Sequence, residues 1–399
     1  MRRPPAASRD PGAPDPATGP AGPAEHAPDL LAFQDSDFHC RKRCAKSRLT
    51  SSRVLLYVGC ATEFHHRRES AVTSVRITEG RIPVSGGDVW YRRMGRGGIP
   101  LLLVHGGPGY PSDLLFEAFE PLAWEREIVW YDQLGVGRSD PVDDPSLLTV
   151  DRFLDELGAV VEGLGLEKAH VYGHSWGAML GLQFAAQRAP EWTSLVCANG
   201  LASVPRFTEE VRELLAKLPG KVLDRTYGRE LRGETDDPDY WVAQEEYLRA
   251  CVVRTAPVRL DPELMSPLTF RTLIGKADYH VTGTLKDWDI FDELEKIRIP
   301  TLVLGGEFDE CVPAHLADIA ARIPDSEHIT QPGAAHMGYL EAEPLRSAYV
   351  GIIRDHMARI EHRPVPWPRD TASAAMPSSA PPPQQSSSSD SEPDRPDKR

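Results

Sequence analysis

Positive charge is the first thing this chain is short of. It sets 45 Lys and Arg against 59 Asp and Glu, a formal net charge of -14. That deficit argues against a nucleic-acid partner and against an anionic membrane surface. Long apolar runs are missing too, since none approaches the about 20 residues of a membrane-spanning helix. Cysteine is sparse and scattered: Cys40, Cys44, Cys60, Cys197, Cys251 and Cys311 are spread through 399 residues. No Cys-x-x-Cys and no finger-like His spacing occurs, so neither a disulfide framework nor a structural zinc site is indicated. Reduced thiols suit a cytoplasmic protein.

Both ends lack the apolar content to fold. Residues 1–28 are rich in Pro, Ala, Gly and Asp, and residues 363–399 in Pro, Ser and Asp, so both are expected to be disordered. A basic stretch at 41–48 followed by Val54-Leu55-Leu56-Tyr57-Val58 faintly imitates a signal peptide. It lies far from Met1 and its apolar run is short, so residues 1–73 are expected to be a non-catalytic extension.

What remains contains 41% apolar residues over the whole chain, enough for a sizeable core. Its centre is Gly173-His174-Ser175-Trp176-Gly177, a Gly-x-Ser-x-Gly. A β-prone run (169–172) enters it and a helix-prone run (178–188) leaves it, the strand–turn–helix setting of a nucleophile elbow. A serine on so sharp a turn needs small neighbours two residues to either side.

Strand signals surround the elbow. Residues 74–78 and 88–92 alternate around Gly86-Gly87 and predict an antiparallel pair at a sheet edge. Residues 100–104, 127–131 and 193–198 read as strands, and 149–164 has helical apolar spacing. Such alternation implies an α/β fold with a doubly wound, mostly parallel sheet over 74–200. The run 100–104 ends in His105-Gly-Gly-Pro-Gly109, a loop whose amides can approach a ligand. The N–H groups of Gly107 and Trp176 are therefore the expected oxyanion donors. The loop Asp132-Gln133-Leu134-Gly135-Val136-Gly137-Arg138-Ser139 is expected to brace that one.

Residues 201–290 break the alternation. They are charged and helix-prone at 209–218 and 240–253, and strand-like signals are expected to resume only after Trp288. An inserted α-helical cap is expected, with a second independent domain as the alternative. The core returns over 291–362, with strands at 300–304 and 327–330 and helices at 314–322 and 341–361. Asp309 and His336 each follow one of these strands. Ser175, Asp309, His336 is the chain order of α/β-hydrolase triads. An Asp-nucleophile dehalogenase or epoxide hydrolase is excluded by Ser175.

Together, His105-Gly-Gly-Pro-Gly109, Asp132-Gln133-x-Gly135-x-Gly137-x-Ser139, Gly173-x-Ser175-Trp176-Gly177 and Gly306-Glu-Phe-Asp309-Glu310 resemble the proline iminopeptidase family of α/β-hydrolases. The segments 200–205 and 282–289 are similar to its tricorn-interacting aminopeptidase subgroup. The resemblance implies an α/β-hydrolase fold and exopeptidase action on small peptides. It also implies two acids that grip the substrate's free amine, here Glu310 and Asp278. The subgroup has Glu where this chain has Asp278, which is one methylene shorter. His174 and Trp176 also depart from it.

The mechanism expected has Ser175 attacking the first carbonyl, His336 carrying the proton and Asp309 fixing the imidazole. It needs no metal or organic cofactor. An esterase or amino-acid amidase on the same triad, and a non-catalytic binding protein on the same fold, stay open. Nothing in the sequence specifies the preferred N-terminal residue or an oligomeric state.

Overall fold

The structure, a computed structural model, describes residues 76–257 and 264–362. All of them fall in one of the two units into which the chain divides, Arg68–Arg399. The extension expected over 1–73 and the tail expected over 363–399 lie outside the described residues.

Eight strands form one sheet in the order β1-β2-β4-β3-β5-β6-β9-β10. They are β1 (Ile77–Val84), β2 (Gly87–Met94), β3 (Leu101–Val104), β4 (Ile128–Tyr131), β5 (His170–His174), β6 (Ser194–Ala198), β9 (Thr301–Gly306) and β10 (Ser326–Gln331). β2 is antiparallel to both its neighbours, and every pairing from β4 to β10 is parallel. The first strand starts later and runs further than the alternation at 74–78 predicts. Ser74 and Val75 lie outside the described residues, and the pairing continues to Val84↔Gly87 because the Ser85-Gly86 turn closes it there. β3, β4, β5, β6 and β9 are buried along their whole length, as a sheet covered on both faces requires.

Among the described residues nine α-helices accompany these strands: α1 (Asp113–Phe119), α2 (Val150–Leu164), α3 (Trp176–Arg188), α4 (Val204–Lys217), α5 (Arg229–Arg232), α6 (Pro238–Tyr247), α7 (Pro267–Leu273), α8 (Pro313–Arg322) and α9 (Leu345–Ile360). Their ends follow local chemistry. The Thr149 hydroxyl accepts from Arg152 N to start α2, and Gly165 closes it in the left-handed conformation. α3 is buried on nearly every side, which is why its sequence shows apolar content and little amphipathic stripe. No helix among the described residues is long and apolar enough to cross a membrane.

The segment between β6 and β9 is mostly helical, but two short strands interrupt it. β7 (Gly275–Ala277) and β8 (His280–Val281) form an antiparallel hairpin, where strand-like structure was expected only after Trp288. Strands this short carry no readable alternation, and a bulge between Gly275 and Ala277 spoils the register. A second difference is at 240–253. The α-helix stops at Tyr247, and Leu248–Val252 widens into a π-turn.

Candidate active site

Ser175 stands between β5 and α3 with φ 52 and ψ -116, a conformation that a non-glycine residue adopts only when its surroundings impose it. The two flanking glycines show what imposes it. A Cβ on Gly173 would lie 2.3 Å from Gly177 O, and one on Gly177 would lie 2.2 Å from Val104 O. The elbow packs directly onto the end of β3, and only hydrogen atoms fit there.

Asp309 follows β9 and is fully enclosed. Its Oδ1 accepts from His336 Nδ1 at 2.8 Å and from Cys311 N at 2.9 Å. Its Oδ2 accepts from Asn199 Nδ2 at 2.6 Å. Asn199 is itself held, since its Oδ1 accepts from Tyr349 OH at 2.9 Å, which lies 2.9 Å from Tyr172 OH. Neither Asn199 nor Tyr349 carries a motif. The only signal in the sequence for Asn199 is an Asn-Gly at the end of β6, where its φ is 52.

His336 lies on the loop after β10. Its backbone N–H donates to Cys251 O at 3.1 Å, and that of Met337 donates to Val252 O at 2.9 Å. On the other side His174 Nε2 donates to the His336 carbonyl at 2.9 Å, with the two rings 4.9 Å apart. Burial, then the nearby His336 charge, push the His174 pKa well below the ordinary value, so it is neutral. The structure thus brings His336 beside the elbow. Its Nε2 faces Glu310 Oε1 at 3.4 Å. Among the described residues the Ser175 hydroxyl makes no hydrogen bond.

The loops near Ser175 are tied together by Gln133. Its backbone N–H donates to His105 Nε2 at 3.0 Å, its Nε2 donates to His105 O at 3.1 Å, and its Oε1 accepts from Trp176 Nε1 at 2.9 Å. One side chain therefore joins the His105 loop to the start of α3. Asp132 beside it accepts from Ser112 and from Arg138, fixing the loop from below.

Gly107, Ser175, Trp176, Asp278 and Glu310 line one pocket, whose apolar wall includes Phe207. Asp278 sits on the turn between β7 and β8. Glu310 is 5% exposed, and its Oε2 accepts from Tyr247 OH. Burial, and Asp278 after it, raise the Glu310 pKa against the opposing pull of His336. Burial would lower the His336 pKa, but the carboxylates of Glu310, Asp309 and Asp278 more than offset it and raise it. Asp278 is raised by burial, with His336 opposing. Tyr247, at the end of α6, is a contributor that no sequence signal marks.

Among the described residues one group has metal-ligand potential. Asp309, Cys311 and His336 each offer an atom within 4.8 Å of the others. The set suits a metal poorly. Asp309 and His336 already bond each other, and burial followed by the Asp309 charge raises the Cys311 pKa well above its ordinary value, keeping it a thiol. Cys197 and Cys251 are also buried and free.

A family model for the alpha/beta hydrolase fold matches residues 99–343. Over 293 residues the chain is 32% identical to a proline iminopeptidase of Lactobacillus helveticus (strain DPC 4571), a match covering 70% of this chain and 98% of that protein. It is similar to the crystal structure of a proline iminopeptidase from Mycobacterium smegmatis, with a TM-score of 0.64 and 31% identity over 71% of this chain and 99% of that one. It is equally similar to the crystal structure of VinJ, with a TM-score of 0.66 and 32% identity over 71% of this chain and 99% of that one.

Proposed function

Because the chain belongs to the α/β-hydrolase fold family and, within it, to the proline iminopeptidases, we propose that it is a serine aminopeptidase. It releases an N-terminal residue, proline included, from small peptides or amino-acid amides. Ser175 attacks the first carbonyl and forms an acyl-enzyme. His336 takes the hydroxyl proton and returns it to the leaving amine, and Asp309 holds the imidazole in the tautomer that leaves Nε2 as acceptor. The N–H groups of Gly107 and Trp176 receive the oxyanion, each contributing about 3 kcal/mol to lowering the barrier. Water then frees the amino acid.

The observation that carries this reading is the pair Asp278 and Glu310 in the pocket of Ser175. Among the described residues neither pairs with a Lys or Arg. The one cationic side chain among the described residues that faces Glu310 is His336, whose Nε2 lies 3.4 Å from Glu310 Oε1 and must be neutral to act as a base, and a buried carboxylate left without a cation is costly. A substrate ammonium supplies the cation, and an internal peptide residue has none to offer. The apolar wall formed by Met179, Leu201, Val204, Phe207, Ile274 and Val281 suits an uncharged side chain. An esterase on the same triad would gain nothing from the two acids. The test is a panel of aminoacyl p-nitroanilides, proline included, run beside N-acetylated counterparts on the wild type and on Glu310→Gln. Free-amine substrates lose at least about tenfold in kcat/KM in the variant, roughly the worth of one charged hydrogen bond. Equal rates on free and acetylated substrates in the wild type would remove the exopeptidase reading.

The charge state of His336 adds a pH signature. A base must be neutral to accept a proton, and neighbouring carboxylates raise the His336 pKa. The acid limb of kcat/KM, which reports the free enzyme, therefore lies above the ordinary histidine value of about 6.5. Activity rises as pH climbs through that limb. In Glu310→Gln, one stabilising negative charge is gone and the limb moves to lower pH on an amine-free ester. A limb at or below about 6.5 in the wild type contradicts the assignment.

A further inference from the structure

The two acids in the pocket come from separate parts of the chain, Asp278 from the turn between β7 and β8 and Glu310 from the loop after β9. Tyr247 touches both surroundings. Its hydroxyl donates to Glu310 Oε2. Its ring stands edge-on to Tyr279, the neighbour of Asp278, at 5.7 Å between centroids and 80° between planes. Tyr279 is fixed in turn, since its hydroxyl donates to the buried Glu230 at 3.0 Å, as does that of Tyr240 at 2.8 Å. Glu230 also lies 2.6 Å from His280 Nδ1. The residues right after Tyr247 bind the His336 loop through Cys251 O and Val252 O. One turn of chain, 247–252, thus meets Glu310, the hairpin bearing Asp278, and the backbone of His336.

Resting on the reading of Glu310 as the amine-binding acid, we propose that Tyr247 is a positioning residue for substrate specificity, which pins Glu310 Oε2 so that Oε1 is presented to the N-terminal ammonium. Glu310 has several rotatable bonds, and an untethered carboxylate would spread over rotamers. With Oε2 held by the phenol, Oε1 is left on the side of His336 Nε2, 3.4 Å away. That places the ammonium next to the reacting centre, where its carbonyl must meet Ser175. The tether also favours the ionised form, because Tyr247 OH donates to Glu310 and so opposes the rise caused by burial. The other groups bearing on Glu310 are His336 from the β10 loop, Asp278 from the hairpin turn, Cys251 from the π-turn, and Asp309 and Cys311 on its own loop.

The test is Tyr247→Phe in the full-length chain, which removes one oxygen and keeps the ring against Tyr279. Three readouts are taken: KM and kcat for proline p-nitroanilide, the pH dependence of 1/KM, and the rate at which phenylmethylsulfonyl fluoride modifies Ser175. That reagent carries no amine, so it reports the nucleophile without the amine site. The expected result is a rise in KM of about tenfold, equivalent to about 1.4 kcal/mol, with kcat and the sulfonylation rate each changed less than threefold. The acid limb of 1/KM moves to higher pH, since Glu310 without its donor ionises later. A wild-type KM, or a parallel fall of KM-dependent activity and sulfonylation, overturns the proposal, because the second pattern is that of a merely structural residue. Glu310→Gln measured alongside separates the two levels. If it too leaves KM unchanged, the amine-clamp reading falls with the proposal. If it raises KM while Tyr247→Phe does not, only the role of Tyr247 falls.

Discussion

Ser175→Ala lowers kcat on proline p-nitroanilide by roughly a million-fold, the scale of removing the nucleophile from a serine-peptidase triad. Ala keeps the Cβ, so the elbow's packing against β3 is untouched. Only the hydroxyl goes, and with it the oxygen proposed to form the acyl bond. The protein should unfold at an unchanged temperature, and intact-mass analysis should show no sulfonyl adduct after treatment with phenylmethylsulfonyl fluoride. Turnover within tenfold of wild type in pure Ser175→Ala protein would falsify the nucleophile assignment. A residual rate far above water is still expected, since the pocket amides and the carboxylates of Asp278 and Glu310 remain.

Asp309→Asn gives the second-largest loss, about ten-thousand-fold in kcat. The reason is specific to this site. Both carboxylate oxygens already accept from donors: Oδ1 from His336 Nδ1 and Cys311 N, and Oδ2 from Asn199 Nδ2. An amide must turn one NH2 toward one of those donors. Toward His336, it forces Nδ1 to be the acceptor, so Nε2 carries the hydrogen and can no longer take the serine proton. Toward Asn199, it sets donor against donor and pushes Asn199 to flip away from its bond with Tyr349 OH. Steady-state kinetics paired with near-UV circular dichroism separates the chemical loss from any unfolding. A kcat within tenfold of wild type would show that Asp309 does not fix the imidazole.

These two residues differ in how visible they were before the fold was known. The elbow is a local object. Gly173 and Gly177 are small because Cβ atoms there would strike Gly177 O and Val104 O, and that constraint is written in five consecutive residues. Asp309 follows the buried β9 and His336 the half-buried β10, so chain order and strand ends sufficed to nominate them. Glu310 and Asp278 came only through family resemblance. Glu310 adjoins Asp309, whereas Asp278 stands on a hairpin turn that no periodicity announces. Asn199, Tyr247 and Tyr349 were missed altogether. Their polar atoms matter through partners 63 to 177 positions away in the chain, as in Tyr247 with Glu310 and Tyr349 with Tyr172.

The sequence by itself determined the strand–helix alternation, the elbow, the order Ser175, Asp309, His336 and the interruption by a charged, helix-prone insertion. Each of those is set by sterics or burial along a short run of chain. Only the tertiary structure decided that two carboxylates enter the pocket of Ser175 with no Lys or Arg beside them among the described residues, that Gln133 joins the His105 loop to α3, and that the turn after α6 meets Glu310 and His336 together. Those are contacts between segments far apart in sequence, and a hydrogen bond over 3 Å is specified by how the sheet and the insertion pack, not by the spacing of the residues that make it.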